Sequence, residues 1–146
     1  MNSLLFNVLI KILRPVYFIL ALWLLFRGHN APGGGFIAGL IAASASILQI
    51  LSQGWDSLNK TIRDKAYSLA GLGLLISILS GTLSIAQELP FMTGVWRKFG
   101  NFSLGSPQLF DVGVFIVVYS VVVLCAGYQL DADEKTFQNN IKKENS

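Results

Sequence analysis

The sequence predicts an all-α integral membrane protein with four transmembrane helices. Of its 146 residues, 53% are hydrophobic and only 13% are charged, and the mean hydropathy is +0.57. A soluble domain typically carries about 25% charged residues, so this chain has roughly half of the usual charge. The apolar residues also form four blocks long enough to cross a bilayer. We therefore place residues 1–130 in a four-helix membrane domain and residues 131–146 in a polar cytoplasmic tail.

The first predicted span covers residues 4–26, which reach about 35 Å as a helix against a bilayer core of about 30 Å. It contains Lys11 and Arg14, which are three positions apart and share a helix face. Two interpretations of these cations stay open. They extend to the cytoplasmic headgroups, or they pair with acids on a neighbouring subunit. Pro15 lies in the same span, where a kink is tolerated if a neighbour or water satisfies the freed carbonyl.

The second and third predicted spans cover residues 36–53 and 66–87, joined by a polar loop. Each carries small residues at four-residue spacing, which leaves a smooth face where another helix can approach closely. These residues are Gly35, Gly39 and Ala43 at the second span, and Gly73, Ser77 and Gly81 in the third. Tight packing within the chain and against partners is therefore expected.

The fourth predicted span covers residues 110–130 and follows a connection, residues 88–109, with several glycines and prolines. This span is rich in β-branched residues, but its length indicates a spanning helix rather than a strand. Four spans place both termini on one side of the membrane. Eight of the eleven Lys and Arg residues fall on that side, so the positive-inside rule predicts cytoplasmic termini.

The composition excludes several functional classes. One histidine and one cysteine are too few to hold a haem, an iron–sulfur cluster or a structural zinc within the chain, so no cofactor is expected. The basic residues are scattered at the ends of apolar blocks, which argues against nucleic-acid binding. The sequence has no phosphate loop and no arrangement typical of a catalytic triad or a carboxylate pair. We therefore expect no enzymatic activity.

Asp111 is the first candidate for an ion or proton pathway, because it stands one position inside the fourth span. A carboxylate at this depth is costly unless it caps a helix, meets water or pairs with a cation. It is either a helix N-terminal acid satisfied by backbone amides and the helix dipole, or a carboxylate that lines a pathway. Glu88, Lys11 and Arg14 are further candidates, although the simplest interpretation of Glu88 is an interfacial charge.

The connection between the first two spans reads RGHNAPGGGF, residues 27–36. A turn needs one or two glycines, yet three stand together here, directly before a span. Pro32 ends the first helix, and the glycines permit left-handed or bent backbone and close approach by neighbours. His29 is the one group expected to titrate near neutral pH, although a lone histidine is usually structural. We interpret the connection as a rigid outward-facing joint or as backbone that lines the outer end of a cation path.

Two motifs carry a family resemblance. RGHNAPGGGFIAGL at residues 27–40 and SPQLFDVGVF at residues 106–115 resemble the B-type subunits of the Mrp-type multisubunit cation/proton antiporters, the MnhB family. Four spans with this spacing resemble the family across nearly the whole chain. The resemblance implies a small, non-enzymatic component in the cytoplasmic membrane of a prokaryote, within a complex that exchanges cytoplasmic Na⁺ or K⁺ for external H⁺.

The resemblance also implies partners and sensitive positions. The partners are the large, complex I-like A and D subunits and the small C, E, F and G subunits, with membrane lipid around them. The signature loop and the helix after it correspond to His29, Pro32, Gly33, Gly34, Gly35, Phe36 and Gly39, and the acidic position corresponds to Asp111. Two alternatives stay open: a purely structural membrane subunit, and a subunit of a membrane-bound hydrogenase or complex I-related ion pump.

Overall fold

The computed structural model describes residues 4–28, 32–58, 60–99 and 102–144. Its long helices are α1 (Leu4–Arg27), α2 (Gly35–Gln53), α3 (Lys60–Thr82) and α4 (Ser106–Glu144). The segments long and apolar enough to cross a membrane are Asn7–Arg27, Gly35–Gln53, Asp64–Gln87 and Ser106–Asp133. The predicted all-α fold with four membrane helices is confirmed, and the chain is a multi-pass membrane protein.

The segment between α3 and α4 contains a feature that the sequence did not predict. Strands β1 (Trp96–Phe99) and β2 (Phe102–Gly105) pair antiparallel, with Trp96 opposite Gly105. Each strand has four residues, too short for its hydrophobic pattern to stand out among the flanking glycines. The hairpin adds to the helical fold and leads directly into α4.

Helix α4 packs along both α2 and α3, while α1 packs mainly on α2. The helices therefore follow the spatial order α1–α2–α4–α3. Their contacts use small side chains, and Ala38, Ala42 and Ser46 of α2 are fully buried. Many of the large apolar side chains point outward, as Ile19 and Phe26 do at 68% and 75% exposure. Small residues between helices and large apolar ones outside are typical of a membrane bundle.

The helix ends gather at two ends of the bundle. At one end, Asn7 of α1 and Ser52 of α2 share a hydrogen bond, and the ring of Trp55 lies 6.0 Å from that of Tyr128 on α4. The start of α1, the connection after α2 and the later half of α4 therefore share this end. The other end holds the turn between α1 and α2 and the start of α4. Which end faces the cytoplasm stays a prediction.

Helix α4 extends beyond its predicted span at both ends, whereas α3 begins before its predicted span and ends at Thr82, short of the predicted end at residue 87. Helix α3 begins at Lys60, inside the segment predicted as a polar loop. Helix α4 begins at Ser106 and continues for 39 residues to Glu144, through most of the predicted polar tail. At 1.5 Å per residue it is about 58 Å long, roughly twice the thickness of a bilayer core. Because α4 does not end at residue 130, the domain boundary there stays a prediction of where this helix leaves the membrane.

Candidate functional site: the glycine–aspartate junction

The turn between α1 and α2 is held by two hydrogen bonds to one backbone carbonyl, that of Leu24. The backbone N–H groups of Gly28 and Gly34 both donate to the carbonyl of Leu24, each at 3.1 Å. The last turn of α1 is therefore bonded directly to the residue before α2. Gly34 has φ 104° and ψ 176°, a region of backbone conformation that essentially only glycine adopts. This explains why a glycine is needed at the centre of the triplet.

The two neighbouring glycines are needed for close approach. A Cβ on Gly33 would lie 2.6 Å from the carbonyl oxygen of Leu24. A Cβ on Gly35 would overlap the backbone carbonyl oxygen of Asp111 on α4. Each glycine of the triplet therefore lacks a side chain for its own reason, and Gly35 brings the start of α2 into backbone contact with α4. We call Gly33, Gly34, Gly35 and Asp111 the junction.

The carboxylate of Asp111 lies over the beginning of α2. Its two oxygens are 3.5 and 3.8 Å from the position that a Cβ on Gly34 would occupy. Gly34 is the N-cap residue of α2 and has no side chain to accept bonds from the first-turn amides. A negative charge is favoured at such a helix end by the exposed N–H groups and the helix dipole. The two sequence motifs, about half the chain apart, thus meet at one point.

Asp111 does not stand at the first turn of its own helix. Because α4 begins at Ser106, Asp111 is its sixth residue and its side chain is half-buried. The sequence placed the helix start at residue 110, which made Asp111 a candidate cap of its own span. In the structure, the helix end that its carboxylate faces belongs to α2.

The opposite side of α4 is held equally closely by α3. A Cβ on Gly113 would lie 2.7 Å from the carbonyl oxygen of Gly73 and would overlap the Ser77 hydroxyl. The Ser77 hydroxyl in turn lies 3.5 Å from the carbonyl oxygen of Phe110, the residue before Asp111. The backbone around Asp111 is therefore clamped between α2 and α3. Sequence analysis noted Gly73 and Ser77 as a small-residue face but did not pick out Gly113.

The other signature residues have different positions. A Cβ on Gly39 would lie 2.9 Å from the Cβ of Val118, so the close contact of α2 with α4 continues one turn beyond the junction. The side chains of Pro32 and Phe36 are exposed, Phe36 at 59%. Neither side chain is therefore part of the packed contact at the junction. His29 lies outside the described residues.

The structure does not bring Glu88, Lys11 and Arg14 to the junction. Glu88 is exposed and adopts a left-handed conformation in the turn after α3, at φ 57°. Lys11 and Arg14 lie in the first half of α1, away from the junction. Arg14 is ten residues and Lys11 thirteen residues before Leu24, which corresponds to about 15 and 20 Å along the helix. The predicted pathway residues thus form separate groups.

The chemistry available at the junction is that of hard oxygen ligands. Asp111 offers a carboxylate, and the backbone of Gly34 and Gly35 is buried against it. Within residues 4–28, 32–58, 60–99 and 102–144, no group of three or more His, Cys, Asp or Glu side chains is positioned to hold a metal ion. A bound monovalent cation would therefore need further oxygen ligands from water or from other chains.

A family model described as "Domain related to MnhB subunit of Na+/H+ antiporter" matches residues 5–124, well over half of the sequence. The chain belongs to the MnhB family. The resemblance drawn from the two motifs is therefore confirmed. Both motifs of this MnhB-family chain lie inside the matched range, and so does the junction that they build.

Individual relatives agree with this assignment. The B subunit of the Na(+)/H(+) antiporter of Bacillus subtilis (strain 168) is 31% identical over 127 residues, which are 84% of this MnhB-family chain and 89% of the relative. The probable K(+)/H(+) antiporter A/B subunit of Rhizobium meliloti (strain 1021) is 35% identical over 122 residues, which are 80% of this chain but 12% of that protein.

A solved structure has the same fold. One chain in the "Structure of Mrp complex from Dietzia sp. DQ12-45-1b" matches with a TM-score of 0.77 and 26% identity. The match covers 86% of this MnhB-family chain and 14% of the chain in that complex. In both the Rhizobium protein and the Dietzia complex, the similar region is a small part of a much longer chain.

Proposed function

We propose that this chain is the small B-type component of a multisubunit monovalent cation/proton antiporter in the cytoplasmic membrane of a prokaryote. The complex exchanges cytoplasmic Na⁺ or K⁺ for external H⁺. The chain performs no enzymatic reaction. It contributes Asp111 as one carboxylate of a cation path that it shares with other subunits, including a large A-type subunit.

The observation that carries this proposal is the meeting of Asp111 with the bare backbone of Gly34 and Gly35. Carboxylate oxygens are ligands that Na⁺ and K⁺ accept, and the close approach at Gly34 and Gly35 holds the Asp111 carboxylate over the start of α2. The start of α2 favours negative charge at this position. Ionisable residues inside membrane spans are costly and often belong to ion or proton pathways. The junction thus places a half-buried carboxylate at a helix end that favours negative charge.

The relatives support both the reaction and the sharing of the path. Their names refer to Na⁺/H⁺ and to K⁺/H⁺ antiporters, so either cation fits the proposal. The Rhizobium relative, whose name carries the label A/B, contains a region similar to this chain within a much longer protein. A B-type segment covalently joined to an A-type segment supports direct packing of the two when they are separate chains.

The test is Asp111→Asn in the assembled complex. Asn keeps the size of the side chain but removes the charge, so assembly should persist while cation/proton exchange falls. We expect the apparent affinity for the cation to decrease at least about tenfold, equivalent to about 1.4 kcal/mol. Subunit content is measured on native gels, and exchange is measured as ΔpH collapse in everted vesicles after Na⁺ or K⁺ addition. Asp133→Asn, an exposed site near the opposite end of α4, is the matched control.

A structural role is the second candidate, because Gly35, Gly39 and Gly113 make Asp111 part of a close-packed contact between helices. In that case, Asp111→Asn would leave cation affinity unchanged in every complex that assembles. Normal exchange by the Asn variant would remove Asp111 from the path. Loss of assembly and exchange together would favour the structural role.

A further inference from the structure

A groove lies between α1 and α2, toward the end of the bundle opposite the junction. Its volume is about 480 Å³, and its lining includes Lys11, Arg14, Pro15, Phe18, Gln49 and Gln53. It lies within the membrane-spanning parts of both helices. Cavities between packed membrane helices are normally filled by side chains, lipid or partner chains. We therefore expect another molecule to fill this groove.

The groove is positively charged. Lys11 is exposed, Arg14 is half-buried, and the Arg14 guanidinium lies 6.0 Å from the centre of the Phe18 ring. Among the described residues that line the groove, none is an acid. Two cations that share one wall of a cavity favour an anionic occupant, and a planar guanidinium suits phosphate oxygens.

The groove also contains a buried hydrogen-bond acceptor. Gln49 is 6% exposed, and its Nε2 donates to the carbonyl of Ser57 at 2.7 Å. This bond fixes the amide orientation, because a flipped amide would place two oxygens together. Its Oε1 is buried and has no hydrogen-bond partner in the part of the chain that the structure describes. Buried acceptors normally have a donor, so the occupant should supply one.

Pro15, which also lines the groove, removes one backbone donor from α1. It lies inside α1 and has no N–H to donate to the carbonyl of Lys11, four residues earlier. The occupant therefore meets two cations and the acceptor of Gln49, which is unpartnered among the described residues. It should combine an anionic group with a hydroxyl that donates hydrogen bonds.

We propose that this groove binds the headgroup of an anionic glycerophospholipid with free headgroup hydroxyls, namely phosphatidylglycerol. The phosphate lies between Lys11 and Arg14, and a glycerol hydroxyl donates to Oε1 of Gln49. The acyl chains lie along the outer face of α1, where Ile12 and Val16 are 62% and 55% exposed.

The depth of the cations agrees with this occupant. Lys11 is four residues and Arg14 seven residues inside the span that begins at Asn7. These offsets correspond to about 6 and 10 Å, within reach of phosphates for long basic side chains. Basic pockets between membrane helices bind anionic headgroups on the cytoplasmic side, which is the predicted location of this end. The proposal does not depend on the antiport function.

The experiment counts lipids on the purified, assembled complex by native mass spectrometry in phosphatidylglycerol-containing detergent. Wild type should retain one more phosphatidylglycerol per copy of this chain than the Lys11→Gln/Arg14→Gln variant. The control Lys60→Gln/Lys65→Gln removes two exposed charges of α3 and should retain the wild-type number. The thermal midpoint of wild type should rise with phosphatidylglycerol but not with phosphatidylcholine or inorganic phosphate.

Gln49→Met tests the hydroxyl contact. This variant should lose the preference for phosphatidylglycerol over phosphatidate, which has the phosphate without the glycerol hydroxyls.

Equal lipid counts in wild type and the Lys11→Gln/Arg14→Gln variant would overturn the proposal. If that variant released a neighbouring chain of the complex at saturating phosphatidylglycerol, the proposal would also be overturned, because the occupant would then be an acidic partner. An unchanged lipid preference in Gln49→Met would remove Gln49 from the site.

Discussion

At the scale of single residues, Gly35 and Gly71 form a natural comparison. Both lie inside helices with ordinary backbone conformation, but only Gly35 is in backbone contact with another helix. A Cβ on Gly35 would overlap the carbonyl of Asp111, whereas a Cβ on Gly71 would have nothing within 4 Å. The same substitution should therefore be disruptive at Gly35 and neutral at Gly71.

We expect Gly35→Ala to separate α2 from α4 and to lower the yield of assembled complex several-fold, while Gly71→Ala leaves it unchanged. The cost at Gly35 is that of overpacking a closely packed contact, about 1–3 kcal/mol. The measurement is the amount of intact complex on native gels at equal expression. Equal yields for the two variants would show that the close approach at Gly35 is dispensable.

Sequence reasoning identified the three glycines and Asp111 as unusual residues, but it did not predict that they contact each other. Three consecutive glycines and an acid inside a span are each unusual on physical grounds, so they were selectable without a structure. Gly34 and Asp111 are about half the chain apart, and no periodic pattern links them. Their contact depends on how α1, α2 and α4 pack together. Gly113 was overlooked because a lone glycine in an apolar span has many possible roles.

At the scale of elements, one polar bond joins α2 and α4 within the membrane. The hydroxyls of Ser46 and Tyr119 are 3.0 Å apart, and Ser46 is fully buried. Tyr119 also stacks on Phe115, with ring centres 6.4 Å apart. This bond joins the same two helices as the junction, farther along both of them. It therefore helps to hold α2 and α4 in register.

We expect Ser46→Ala and Tyr119→Phe to show a coupling free energy of about 0.5–1.5 kcal/mol in a double-mutant cycle, as for other hydrogen bonds between membrane helices. Unfolding is measured by steric trapping or SDS titration in micelles. Val122→Ala paired with Ser46→Ala is the control, since Val122 lies on α4 but makes no such bond. A coupling within error of zero would show that the hydroxyls do not stabilise the contact.

Hydropathy located all four helices but not all of their ends. Helix α3 begins in a charged segment, and α4 continues into one, because a helix can leave the membrane without losing its backbone hydrogen bonds. Hydropathy reports where the lipid ends rather than where the helix ends. The hairpin before α4 was missed for a different reason, since two four-residue strands give no periodic signal above that of their neighbours.

At the scale of the whole molecule, the orientation in the membrane is testable. The predicted topology places the connection after α3 outside and the far end of α4 in the cytoplasm. In a Cys125→Ala background, Thr93→Cys should react with a membrane-impermeant thiol reagent in intact cells. Asp133→Cys should react only after permeabilisation. The readout is a mass-tag shift on gels. If Asp133→Cys reacted in intact cells and Thr93→Cys reacted only after permeabilisation, the orientation would be the opposite of the predicted one.

Helix α4 is continuous from the junction to the opposite end of the bundle, so a small change of its tilt becomes a larger displacement at its far end. From Asp111 to Glu144 it is one helix without a proline hinge, about 50 Å long. A tilt of about 5° that pivots at Asp111 displaces the far end by about 4 Å, a shift similar in size to those of known switching helices. If a cation at the proposed site changes the tilt of α4, the continuous helix would carry that displacement to the opposite end of the bundle.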